Sequence, residues 1–189
     1  MSHQHKRPIK NLRPTQFALG MKEVTFKVQK LKKMNHEELN EYLQNHPVPI
    51  VIDSASEAHL IDHHHLVRAC WELGIDHVFV EVVEDLSTHS HGSFWDKMKK
   101  SNWVRLFDQF GKGPHEPIQL PLDITGLADD PYRSLAWAMR EEGLIEKSPE
   151  PFSEFKWADQ FRVNIEIERS EEGFDKAKLK AALFLKKRT

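Results

Sequence analysis

An aspartate followed by three histidines, Asp62-His63-His64-His65, stands where an apolar run, Ala58-His-Leu-Ile61, gives way to a helical pattern that ends near Leu73. A strand-to-helix turn aims the first amides of the helix outward; they have no intrahelical partner, and the macrodipole adds about half a positive charge there. Such a terminus is a ready phosphate site. Asp62 supplies a carboxylate beside it, able to accept a hydroxyl proton or to hold a magnesium ion that bridges phosphate oxygens. His63, His64, His65 and Arg68 add donors around the same turn. Successive helical residues point about 100° apart, so the three histidines cannot all face one ligand and one or two belong to the scaffold. A zinc site from His63 and His65 does not fit the i, i+4 spacing usual on a helix, and there is no HExxH motif or cysteine companion. His89 and His91 flank Ser90 in what reads as a solvated loop.

The elements around this turn alternate. Lys22 to Leu31 reads as a half-buried strand, with Val24, Phe26 and Val28 at period two among lysines. Asn35 is placed to cap a helix with Glu38 in the capping-box position, and Pro47 and Pro49 end it. Pro49 to Asp53 and Ala58 to Ile61 read as strands, His63 to Leu73 as a helix stopped by Gly74, and His77 to Val83 as a β-branched strand. Ser93 and Asp96 open a short helix, and Trp103 to Phe107 reads as a strand. Asp130-Pro131 begins a helix that stops at Gly143. Lys156 to Phe161 and Asp175 to Lys187 are helical, with a short strand at Val163 to Ile167 between them. No period repeats. The five tryptophans accompany apolar residues and are expected in the core rather than stacked on bases.

Composition narrows the class. The 189 residues are 39% hydrophobic and 30% charged, an ordinary globular balance, and Cys70 is the sole cysteine, which excludes an intrachain disulfide and a cysteine-rich zinc site. No apolar run approaches the roughly 20 residues needed to cross a bilayer, and the polar start Met1 to Arg7 has no apolar secretory core, so a cytoplasmic protein without a membrane partner is expected. Residues 1–33 carry nine Lys or Arg against Glu23 alone, within a chain of net charge -2. Such a basic stretch attracts phosphates, though a solvated face has the same composition.

These residues resemble a known superfamily. The strand-Asp-His-His-helix element is similar to the second box of the ParB/sulfiredoxin superfamily, where a short Gly, acidic or His, and Arg motif grips nucleotide phosphates. Ile9-Lys-Asn-Leu-Arg-Pro-Thr-Gln16 with Gly20-Met-Lys-Glu-Val24 resembles its first box, with the Pro-x-Gln core. Phe94-Trp95, Val104 to Asp108, Tyr132-Arg-Ser-Leu-Ala-Trp137 and Glu154-Phe-Lys-Trp-Ala158 resemble a bacterial branch described as ParB-like nucleases. The resemblance runs from about Ile9 to Ile165. It implies an α+β fold with a small mixed sheet, flanking helices and a helical C-terminal part. The corresponding organisation is a flexible polar lead-in over 1–8, a ParB/sulfiredoxin-like domain over 9–167 and a C-terminal amphipathic helix over 168–189.

Departures from the superfamily's patterns bear on function. Sulfiredoxin has its reactive cysteine directly before the His-Arg of this box, whereas Cys70 lies inside the following helix; sulfinic acid repair is not expected. Partition proteins carry Gly-Glu-Arg-Arg here and a basic helix-turn-helix behind it, so sequence-specific DNA reading is not expected either. The serine-kinase branch carries Asp-Gly-His-His-Arg, matched by Asp62 to Leu66 except that His63 replaces the glycine and Leu66 the arginine. Losing that arginine removes a bidentate phosphate donor, for which Arg68 or Arg13 is a candidate substitute. The expectation is an enzyme of phosphate chemistry, a magnesium-assisted nuclease or nucleotide hydrolase. Its partner would be a nucleotide or nucleic-acid phosphate, with ATP, ADP or CTP as substrate or ligand. Asp62, Glu23 and His65 are the catalytic candidates, Asp62 also the metal ligand, and His63, His64, Arg68, Arg13 and Gln16 the phosphate binders. Two alternatives use the same residues: an ATP- or ADP-dependent kinase of a small hydroxyl compound such as free serine, and a noncatalytic nucleotide-binding or interaction module.

Overall fold

The computed structural model describes residues 5–187. The longest apolar pattern, Val48 to Ile52, forms β4 at the middle of a five-stranded mixed sheet, because its side chains are covered on both faces. Ile50 and Ile52 point into the main core with Val24, Leu31, Leu43, Val67 and Cys70. Val51 points the other way, into a second cluster with Leu86, Phe94, Met98 and Leu106. A strand buried on both sides reads as an unbroken apolar run, which is how this one reads.

Around it the sheet runs β1 (His5–Pro8), β6 (His77–Asp85), β4, β5 (Ala58–Leu60), β2 (Leu12–Pro14). β1 is antiparallel to β6, β4 is parallel to β6 and antiparallel to β5, and β2 is parallel to β5. The lead-in expected to be flexible before Ile9 is therefore a paired edge strand from His5 onward, with His5 opposite Val80 and Pro8 opposite His77. Residues 1–4 lie outside the described residues.

The segment expected as a strand over Lys22 to Leu31 is a helix, α1 (Met21–Lys32). Val24, Val28 and Leu31 satisfy i, i+4, i+7 as well as Val24, Phe26 and Val28 satisfy alternation. The core decides between them, burying Val24 and Leu31 and packing Val28, while Phe26 stays 45% exposed. α2 (His36–Asn45) begins at Asn35 with a complete capping box to Glu38. α3 (His64–Glu72) follows β5, and α4 (His91–Lys100) packs under the opposite face of the sheet with Ser90 as its cap.

A second, two-stranded parallel sheet joins β3 (Ala18–Leu19) to β7 (Ala128–Asp129) and brings the C-terminal helices to the sheet. These are α5 (Pro131–Glu141), α6 (Ser153–Asn164) and α7 (Glu171–Lys186), packed through Leu135, Met139, Ala158, Phe161, Ala177 and Ala181. The short strand expected at Val163 to Ile167 is instead the end of α6, where Val163 points to solvent, and an extended exit. Trp103 to Phe107 makes only a single bridge, Arg105 to Gln16, rather than a ladder. Among the described residues no helix is long and apolar enough to cross a membrane.

Candidate functional site

The N-terminus of α3 differs from those of α2, α4, α5 and α7, which are capped by the side chains of Asn35, Ser90, Asp130 and Ser170. Its cap residue, His63, makes no side-chain capping bond. His63 also has φ +64°, a left-handed conformation that costs an L-residue roughly 1–2 kcal/mol. Asp62 precedes it, exposed, with Oδ1 accepting the His63 amide at 2.6 Å. This turn opens onto a cavity of about 680 Å³.

The cavity brings together residues from distant parts of the chain. From the sheet side come Gln16, Asp62 and the three histidines; from α1 come Glu23 and Lys27; from α5 and α6 come Arg133, Arg140 and Glu154; Tyr42, Trp103 and Phe155 supply aromatic wall. Glu23 reaches this position because α1 starts against α5: the amides of Met21 and Lys22 donate to Asp129 Oδ1 at 3.0 Å and Ser134 Oγ at 3.2 Å. The start of α1 is thus capped from a sequence segment over a hundred residues away.

His64 and His65 are scaffold. Nε2 of His64 accepts the Thr15 amide at 3.3 Å, and Nε2 of His65 accepts the Gly20 amide at 3.0 Å. An imidazole nitrogen that accepts carries no proton, so both rings are neutral with the proton on Nδ1. Burial points the same way: it outweighs the Glu23 carboxylate and pushes His65 down to about 3, and it lowers His64 against the pull of Asp62. The His65 Nε2 to Glu23 Oε2 approach of 3.6 Å is therefore a contact of a neutral ring with an anion at ordinary pH, not an ion pair. With its lone pair occupied, His65 is not a proton acceptor for a substrate, and its expected catalytic role gives way to positioning.

Glu23 is anchored as well. Arg133 Nη2 donates to Oε2 at 3.1 Å, and Lys27 Nζ lies 3.5 Å from Oε1. Burial alone would raise this carboxyl, but charge on His65, Arg133, Lys27 and Arg140 overcomes it and holds it at about 2. The His65 contribution acts only where that ring is protonated, so near neutrality the lysine and the guanidinium groups carry the effect. A carboxylate held so low is a weak base.

His63 is available. Its Nδ1 is buried without a hydrogen-bond partner, and desolvation lowers its basicity despite Asp62. Gln16 lines the cavity and donates Nε2 to the Ala18 carbonyl at 2.7 Å. Arg13 and Arg68 do not reach the cavity. Arg13 is bound to Glu57 and to the Leu122 carbonyl, Arg68 to Glu72 at 2.7 Å and to the Ile124 carbonyl at 3.3 Å. Arg68 stands four residues after His64, on the same side of α3 but one turn further along, where Glu72 and the Ile124 carbonyl hold it outside the cavity. The cations that do line the cavity are Lys27, Arg133 and Arg140, the last two on α5.

For magnesium the donor set is one uncommitted carboxylate, Asp62, since Glu23 and Glu154 are matched to arginines and Glu150 to Lys156. That suits an ion which usually keeps its waters and relies on one or two carboxylates plus substrate phosphates. Among the described residues the one three-residue group with metal-ligand spacing is Asp53, Glu57 and His59, at the β4 to β5 turn and outside the cavity. Glu57 is bound there by Arg13, and Asp53 by His59 at 2.9 Å and by turn amides.

The family model described as "Putative ParB-like nuclease" matches residues 5–163, so it spans the sheet, the α3 turn, α5 and nearly all of α6. The chain belongs to this ParB-like nuclease family. The ParB-like chain is also similar to a solved structure, the crystal structure of protein Atu1540 from Agrobacterium tumefaciens. The TM-score is 0.90 at 36% identity, over 98% of this chain and 92% of that one. No curated protein matches it. Burial also pushes the Cys70 thiol up to about 12, which leaves no thiolate for sulfiredoxin-type chemistry.

Proposed function

We propose that this ParB-like protein is an enzyme of phosphate chemistry that takes a nucleotide or a nucleic-acid end at the N-terminus of α3. The observation that carries the reading is that the uncapped start of α3 opens, with Asp62 exposed and His63 Nδ1 unpartnered, onto a cavity walled by Lys27, Arg133 and Arg140. Free amides and fixed cations are what developing phosphate charge requires. Asp62 would hold magnesium or take the proton of the attacking water. Magnesium held there would supply positive charge against the phosphate. His63 hydrogen-bonds a phosphate oxygen in its neutral form, while His64 and His65 keep the turn attached to β2 and to the start of α1.

The cavity volume of about 680 Å³ falls in the range of small-ligand sites, roughly 300–1,000 Å³, and favours a mononucleotide or a frayed strand end over an intact duplex. The same volume leaves room for a small alcohol beside the nucleotide. With the resemblance of Asp62 to Leu66 to the serine-kinase box, that supports phosphotransfer to a small hydroxyl compound such as free serine as the second reading.

Thermal unfolding with ATP, ADP, CTP and short single-stranded DNA, each with magnesium, tests the reading on the parent and on His63→Ala. A ligand at about 100 times its Kd adds roughly 2.7 kcal/mol, visible as a higher midpoint. A nucleotide that stabilises the parent and not the variant is the expected result; chromatography of the mixture then separates hydrolysis from transfer to added serine, and intact nucleotide throughout would mark a binding module. A panel that moves neither midpoint rejects the phosphate site.

A further inference from the structure

Arg133 is a buried guanidinium whose fork is poorly used. It is 7% exposed and lines the cavity, yet Glu23 and Glu154 both approach the same nitrogen, Nη2, while Nε and Nη1 have no acceptor among the described residues. Glu154 Oε2 lies against Nη2 but completes no hydrogen bond, and the carboxylate is shared with Arg140 Nη1. Arg140 spends its other amino group on Glu141 at 3.1 Å. Buried donors in native proteins are nearly always satisfied, and a guanidinium fork is shaped for two parallel bonds to one oxyanion. Glu154 gives neither arginine that geometry.

We propose that Arg133 and Arg140 form a second anion subsite, filled by the chain's own Glu154 until a ligand phosphate exchanges with it. Resting on the phosphate reading of the α3 turn, this assigns the ligand to the class with two linked phosphates, a nucleoside di- or triphosphate. One phosphate sits at the α3 amides and a second at the arginine fork. Glu23 stays on Arg133 and keeps the guanidinium in place, and Glu154 swings out with the first turn of α6. Its removal from the wall takes one of the cavity's four carboxylates, Glu23, Asp62, Glu150 and Glu154, away from Lys27, Arg133 and Arg140, and so makes the arginine side more attractive to phosphate.

Titration calorimetry with pyrophosphate and with magnesium ATP tests this on the parent, Glu154→Gln, Arg140→Gln and His63→Ala. Glu154→Gln should bind both probes at least tenfold more tightly than the parent, because the internal competitor has lost its charge, and Arg140→Gln at least tenfold more weakly. Equal or weaker binding by a folded Glu154→Gln overturns the proposal. If that variant does not fold, Arg140→Gln decides: a tenfold loss supports the subsite and an unchanged Kd overturns it. Binding that depends on His63 but not on Glu154 or Arg140 rejects the subsite and leaves the α3 reading standing. Binding that depends on Arg140 and Glu154 but not on His63 does the reverse. If neither probe binds any protein, both fall.

Discussion

The Gly20 amide donates to Nε2 of His65 at 3.0 Å, so the start of α1 is tied to the start of α3 by a bond that exists only while the imidazole is neutral. Folding depresses this histidine from the ordinary 6.5 to about 3, so between those values the unfolded chain binds the extra proton. The stability it contributes is complete above about pH 6.5 and is lost as pH falls toward 3, at up to about 1.4 kcal/mol per pH unit. Glu23 adds a further loss below the ordinary carboxylate value of 4.5. In His65→Gln the amide oxygen can accept from Gly20 but cannot be protonated. Urea unfolding at pH 7, 6 and 5 should show a slope shallower than the parent's by about one proton; parallel slopes would show that His65 is not the titrating group.

Gly20 itself marks where the C-terminal helices meet the sheet domain. Its φ is -91°, so flexibility is not why glycine stands there; a Cβ would lie 2.8 Å from the Ser134 amide nitrogen and 2.9 Å from Ser134 Oγ. Ser134 is backbone and a buried hydroxyl on α5, neither able to yield. Gly20→Ala is expected to cost about 1–3 kcal/mol by overpacking, a fall of roughly 2–4 °C in Tm per kcal/mol at this chain length. A melting curve unchanged from the parent would mean that α1 and α5 separate more easily than this packing implies.

Much of this junction was not legible in the sequence. Local signals survived intact: the Asn35 and Asp130 caps, the glycine stops at Gly74 and Gly143 with φ +71° and +72°, and the apolar run of β4. α1 was misread because Val24, Phe26 and Val28 suit a strand locally, and only packing against α3 and α5 selects the helix. The site shows the same division. Asp62 and His63 announce themselves because their chemistry is local. Arg133, Arg140 and Glu154 reach the cavity through the β3 to β7 pairing and the α5 to α6 packing, contacts that no spacing reveals. Arg133 and Glu154 stood within resembling motifs, but nothing in one chain says that they face each other. Arg13 and Arg68 have the charge that a substitute for the arginine missing at Leu66 needs, but Glu57 and the Leu122 carbonyl hold the one, and Glu72 and the Ile124 carbonyl the other, outside the cavity.

His63 occupies the place of a glycine in the related box and adopts a glycine-like φ of +64°. Two effects oppose each other in His63→Gly. Relief of the left-handed strain gains roughly 1–2 kcal/mol, and the freer unfolded chain costs about 0.4–1 kcal/mol. The net change in stability is about 0–1.6 kcal/mol in the stabilising direction. Nucleotide affinity falls by about tenfold, the worth of one hydrogen bond to a charged group. Denaturant unfolding alongside nucleotide titration checks both. A variant that loses stability would show that the ring, rather than the backbone conformation, holds the turn.

Asp62 carries the sharpest test of the chemistry, because it is exposed and its loss leaves the fold alone: its one bond in the turn is the 2.6 Å contact to the His63 amide, which an asparagine oxygen also makes. Asp62→Asn should melt within about 0.5 kcal/mol of the parent, as surface substitutions do. Two roles for the carboxylate then separate kinetically. If it holds magnesium, the variant loses activity at low magnesium and recovers part of it at high concentration. If it takes the proton of the nucleophile, turnover falls by about 10²–10⁴-fold at every magnesium concentration. Full activity of a folded Asp62→Asn would remove this residue from the mechanism and move the search for the base to His63, which lines the cavity with a buried, unpartnered ring nitrogen.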